Sequence, residues 1–180
     1  MLSKLIRKIR SLVGPPTVDK EEPKHKNASA MRELRTKILT TPSDKLKLLP
    51  SAEAPFVHTV LMDWPMDEEN MVTVYGSLTG DASIYTNSAF GVIGGIGHAN
   101  VRSSAVEVVK AAQSFYEEAK PVVTYPYPIP ANTYFYLIGF QGVRRIQADT
   151  ASLQEGTHRF AVLGNLFQKL IAKLRMATPK

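Results

Sequence analysis

The chain contains no cysteine. That absence removes disulfides, thiolate metal centres and a cysteine nucleophile together, and it fits a reducing compartment. Long apolar runs are missing too: no stretch approaches the roughly 20 residues that cross a bilayer. The opening MLSKLIRKIRSLVG is interrupted by Lys4, Arg7, Lys8 and Arg10, so it does not read as a secretory signal. The expected location is cytoplasmic, with peripheral membrane contact as an added possibility. HxH and HExxH spacings are lacking, and His25, His58, His98 and His158 are scattered, so no metal site is expected. Without a G-x-S-x-G elbow, a triad assembled from Ser88, His98 and Asp81 has nothing to hold its serine, and no catalytic residue is assigned.

What is present suits one compact domain with appendages. Of 180 residues, 44% are hydrophobic and 21% charged, enough apolar side chain for an ordinary core. The net charge of +6 is unevenly placed. Residues 1–50 carry twelve Lys/Arg against five Asp/Glu, and residues 51–180 carry ten against eleven. The basic character therefore belongs to the N-terminal segment, and a nucleic-acid partner is not expected, because such domains spread their cations over the folded surface.

Leu2, Leu5, Ile6, Ile9, Leu12 and Val13 recur at helical spacing, with cations on the other faces. Residues 1–14 are expected to form a basic amphipathic helix ended by Gly14-Pro15-Pro16. A helix this short is marginal alone, so it must find a surface. That surface is its own domain or copy, or else an external partner or anionic membrane reached through Lys4, Leu5, Ile6, Arg7, Lys8, Ile9 and Arg10. Residues 15–26 read as a flexible charged linker, and residues 27–180 as one domain with its core in 55–176.

Within that domain, a helix is predicted over 27–40, with Asn27 as N-cap and Met31, Leu34 and Ile38 as its apolar stripe. Strands are predicted at 55–63, 71–78 and 82–86, the last two joined by a turn at Thr79-Gly80-Asp81. His58 is expected on a strand face. Pro65 is expected to bar continuation of the first strand, and Asp67, Glu68 and Glu69 to form a solvated acidic loop or pair with the basic segment. The longest helix is placed at 100–119, burying Val101, Ala105, Val108, Val109, Ala112 and Phe115. The run TYPYPIPAN (124–132) reads as extended, polyproline-like chain, a rigid edge or a ligand for a proline-recognition domain. A hairpin follows (133–140 and 143–148, turning at Gln141-Gly142), then a polar loop over 149–159 and a final helix over 160–176. The fold class is α+β: an antiparallel sheet of about five strands flanked by helices.

The segments TVYGSLTGDASIYT and TYFYLIGFQGVRRIQA, on either side of a central helix, resemble the profilin-like layout of roadblock-type modules. The resemblance implies a dimerising platform or regulator for small GTPases and motor complexes.

SAFGVIGGIGHANVR (88–102) has the glycine content of a phosphate cradle. The P-loop needs G-x-x-x-x-G-K-[ST], but Ile96 stands five residues after Gly91. The dinucleotide fingerprint needs G-x-G-x-x-G, but Asn100 stands where the third glycine belongs. The apolar spacers Val92, Ile93 and Ile96 favour a packed joint between hairpin and helix. The remaining functional alternative is an anion held at Gly97, His98 and Arg102, or a ligand-binding or enzymatic site over Gly94 to Arg102 near Asp81 and Tyr85. The main expectation is a non-enzymatic, self-associating interaction module without a cofactor, whose partner is a second copy or a small GTPase.

Overall fold

The computed structural model describes residues 22–87, 91–92 and 94–177. The expected helix at 2–13 and Ser88 lie outside them. The elements are α1 (Glu22–Thr40), β1 (Val57–Pro65), β2 (Met71–Ser77), β3 (Ala82–Thr86), β4 (Gly91–Val92), α2 (Ala99–Ala112), β5 (Lys120–Val122), β6 (Asn132–Gly139), β7 (Gly142–Asp149), α3 (Thr150–Glu155) and α4 (Ala161–Ala177). The strands form one open antiparallel sheet in the order β4-β3-β2-β1-β6-β7-β5. The α+β class holds. The count of five strands does not: there are six strands of three or more residues, plus the two-residue pairing of β4 with β3.

β1 is central, paired with β2 on one side and β6 on the other. One sheet face carries Val60, Met62, Trp64, Val72, Val74, Phe135 and Leu137 against α2 and α4. The other carries Leu61, Tyr75, Tyr85, Tyr134, Tyr136 and Ile138, beneath Leu39 of α1. Burial from both sides explains why residues 57–64 show no polar alternation: all eight are buried, the polar His58, Thr59 and Asp63 among them.

Several boundaries differ from expectation for local reasons. The first helix starts at Glu22, so Asn27 lies inside it and part of the expected linker is helical. Pro65 is the last residue of β1, opposite Met71. It is tolerated because pairing with β6 has already ended at Asp63, leaving no ladder bond on that side for its missing N–H. The central helix ends at Ala112 and tightens into a 3-10 turn at Gln113–Phe115. There Gln113 Oε1 accepts from the amides of Phe56 and Val57, while Nε2 donates to the carbonyls of Val57 and Val109. The ring of Tyr116 stacks on Phe56 at 4.8 Å.

β5 escapes sequence detection because it is Lys120-Pro121-Val122. It is an edge strand, and Lys120 and Val122 face β7 as partners of Arg145 and Val143, so Pro121 lacks its donor on the solvent side. The predicted loop at 149–159 contains α3, capped by Asp149, whose side chain accepts from the Ser152 amide, and closed by Gly156 at φ 77°.

The glycine-rich joint turns the chain from the sheet edge into α2. Gly94 has φ 86°, in the left-handed region. A Cβ on Gly95 would stand 2.6 Å from Val101 Cγ1 and 2.7 Å from Leu174 Cδ2, both fully buried. A Cβ on Gly97 would meet nothing within 4 Å. Gly95 is thus the packed member of the joint and Gly97 an open one. Gly95→Ala is expected to destabilise by about 1–3 kcal/mol through overpacking, whereas Gly97→Ala should stay within about 0.5 kcal/mol of the parent. Urea unfolding of the two variants measures the difference.

Candidate functional site

The most concentrated polar chemistry in the described chain lies inside it, between α1 and the tyrosine-bearing sheet face. Asp63 projects from central strand β1 with no solvent exposure. A lone buried carboxylate would be very costly, so a partner is required, and Arg35 of α1 supplies it. Arg35 Nε lies 3.2 and 3.0 Å from the two Asp63 oxygens, and Nη2 lies 2.5 Å from Oδ2. Thr73 of β2 donates to Oδ1 at 2.6 Å. Two further guanidinium hydrogens go to carbonyls of the extended segment: one of Nη1 to Tyr125 at 2.8 Å and one of Nη2 to Pro126 at 3.3 Å. Tyr127 lies 4.2 Å from the guanidinium carbon, face on, and Tyr136 donates to the Pro126 carbonyl at 2.5 Å.

Burial pushes the Asp63 carboxyl above its ordinary range, and Arg35 and Thr73 pull it back. For Arg35, burial opposes the charge, but the adjacent carboxylate outweighs it and the guanidinium holds its proton more tightly than usual. The two-pronged geometry is that of an ion pair. Tyr85, on the same face, is buried with no hydrogen-bond partner for its hydroxyl among the described residues, and burial raises its pKa. Arg35, Asp63 and Thr73 were not among the expected site residues. The available signal was an aspartate inside the apolar run PFVHTVLMD.

Of the expected residues, His58 sits in β1 at a register shift between Val57 and Thr59, 1% exposed. Its Nδ1 is 3.1 Å from Thr59 Oγ1 and its ring 5.3 Å from that of Phe140. Burial lowers its pKa below the usual histidine value. Asp67 is spent locally: its Oδ1 accepts from the amides of Glu69 and Asn70, closing the β1–β2 hairpin. Asp81 accepts from Tyr75 at 2.6 Å.

Gly97, His98 and Arg102 do lie together at the start of α2. The His98 side chain makes no capping bond, and Arg102 turns back to donate from Nη1 to the Ile96 carbonyl at 2.8 Å. The stem of Arg102 covers Gly80, so part of this cation's capacity is taken up in bracing the joint. Arg102 also begins a shallow groove of about 790 Å³ between the β2–β3 turn and the outer face of α2, where Ser103, Val106, Glu107 and Lys110 follow. No protein family, curated protein or solved structure matches this chain. Among the described residues no group of three His, Asp or Glu side chains converges as metal ligands.

Two predictions follow from the buried groups. Asp63→Ala leaves Arg35 buried and unpaired, at a cost of about 3–5 kcal/mol, whereas Asp63→Leu combined with Arg35→Met should recover most of that loss; denaturant titrations compare them. For His58 the folded pKa is depressed, so between the folded and unfolded values the unfolded chain holds the extra proton and stability rises with pH. Stability is therefore complete above about pH 6.5 and declines as pH falls below it, by at most about 1.4 kcal/mol per pH unit. The variant His58→Phe should show a flatter Tm profile over pH 5–7.

Proposed function

We propose that this chain is a non-catalytic interaction module that self-associates through the outer face of α2, with its basic N-terminal segment reaching a further partner or an anionic membrane. The interior supports this reading: the buried ionic centre is bonded within the fold, Asp63 to Arg35 and Thr73, and Arg35 also to the carbonyls of Tyr125 and Pro126. The observation that carries it is the charge order along α2. Arg102 and Glu107 are both exposed, and Glu107 makes no ion pair among the described residues.

Two α2 helices packed antiparallel about a twofold axis between Ser104 and Ala105 set Arg102 of each copy opposite Glu107 of the other. Ser103 of one then meets Val106 of the other at the seam. Such an isologous contact satisfies both charges at once, and the small side chains suit the close end of the usual 8–10 Å helix separation. The resemblance of TVYGSLTGDASIYT and TYFYLIGFQGVRRIQA to roadblock-type modules points the same way, since it implies homodimers and small-GTPase partners. The α2 face would serve the first of these, and Lys4 to Arg10 would extend the surface.

Gel filtration coupled to light scattering should give a dimer for the full chain. Glu107→Arg, which sets two arginines face to face, should shift it to monomer, and an equimolar mixture with Arg102→Glu should restore a mixed dimer. A parent that stays monomeric at high concentration overturns the reading. Anionic vesicles should sediment the full chain and leave behind a version lacking residues 1–21.

A further inference from the structure

A second surface lies at the opposite margin of the sheet, where edge strand β5 stops short of covering its neighbour. In the β6–β7 hairpin, Gly139 pairs with Gly142 across a two-residue turn, and the register runs to Asn132 opposite Asp149. The amide of Thr150 continues the ladder by donating to the Ala131 carbonyl at 2.8 Å. The even-numbered residues of β7 therefore bond to β6, and the odd-numbered ones face outward; the Asp149 carbonyl turns into α3 as its N-cap, so the groups left on this edge are the N–H and C=O of Gln147 and the N–H of Asp149. Lys120 and Val122 of β5 take up Arg145 and Val143. Gln147 and Asp149 lie beyond the start of β5, because the chain before Lys120 turns away through bonds from the Ala119 amide to the carbonyls of Phe115 and Tyr116.

This vacant edge opens into a cleft of about 440 Å³ lined by Lys120, Arg145, Gln147, Ile146 and Phe160, among others. Its acids are already occupied. Glu118 pairs with Arg159, and Asp149 accepts from the amide and hydroxyl of Ser152 at 2.8 and 2.6 Å. Lys120 and Arg145 carry the positive charge; the Arg145 guanidinium lies 4.5 Å from the Tyr134 ring and hydrogen-bonds Tyr136, and it makes no ion pair among the described residues.

We infer that this cleft binds the C-terminal end of another polypeptide as an added strand. The direction follows from what already occupies the edge. A strand running antiparallel to β7, as β5 does, would pass Asp149, then Gln147, and stop against Lys120, since the position opposite Arg145 is filled. Its last residue thus arrives beside the Lys120 ammonium and the Arg145 guanidinium, the chemistry that a terminal carboxylate requires. The backbone edge supplies the main-chain bonds, and Phe160 and Ile146 offer an apolar wall to one side chain. The inference rests on reading the chain as an interaction module, but it uses a different face from α2.

The test is titration of the ¹⁵N-labelled full chain with N-acetylated pentapeptides of alternating valine and threonine, ending either in a free acid or in an amide. The acid form should shift the Gln147 and Asp149 amide resonances saturably, and the amide form should bind about tenfold more weakly, as expected for loss of a charge-assisted bond. Lys120→Gln should weaken the acid form and leave the amide form unchanged. Equal binding of the two forms, shifts confined to other regions, or no shifts at millimolar peptide overturns the inference. If the chain remains dimeric while these resonances stay silent, only the cleft assignment falls. If the peptide binds to a monomer, only the α2 reading falls.

Discussion

The fold depends on one buried ion pair. Arg35 and Asp63 join three parts of the chain that have little else in common: a largely polar helix, the central strand, and the proline-rich segment at 124–131. The helix α1 buries Leu39 fully and only partly covers Met31, Leu34 and Ile38, a thin apolar contribution for nineteen residues. Its docking therefore leans on Arg35, whose guanidinium reaches both Asp63 and the carbonyls of Tyr125 and Pro126. A buried pair of this kind is weak evidence for extra stability, because desolvation offsets most of the attraction. What it supplies here is position, since a one-turn slip of α1 would leave two charges buried without partners.

That constraint explains which features were legible in the sequence. Helical periodicity marked most of the buried face of α2: Val101, Ala105, Val108, Val109 and Ala112 are fully buried, whereas Phe115 falls in the 3-10 turn past the helix and is half-buried. The hairpins were legible because β-branched runs and turn residues are local signals. The Arg35–Asp63 contact was not, because its members stand 28 positions apart and an arginine on a basic helix looks like a surface residue until its partner is known. β5 was hidden by its length and by Pro121, whose fitness for an edge shows only once the neighbour is placed. Gly97, His98 and Arg102, the residues of the expected anion site, do lie together, and sequence offsets could not show that Arg102 also donates to the Ile96 carbonyl.

The distribution of chemistry follows from the same architecture. The two faces of the sheet are closed, one by α2 and α4, the other by α1 and the tyrosine-rich segment. Among the described residues, the buried side-chain polar atoms have hydrogen-bond partners apart from the Tyr85 hydroxyl and the Gln168 side-chain nitrogen. On the reading proposed above, recognition falls to the outer face of α2, to the margin beyond β5, and to the basic N-terminal segment.

The absence of cysteine makes the central claim directly measurable. A single nitroxide placed at Ser114→Cys, an exposed position just past α2, reports intermolecular distance with no competing thiol. If two α2 helices pack antiparallel about an axis near Ser104 and Ala105, the labels lie about 30 Å apart along the helix direction. Pulsed dipolar spectroscopy at a concentration where the chain is dimeric should then show one distance population near that value. A dimer with no dipolar signal, or with a distance far from it, would contradict α2 as the self-association face.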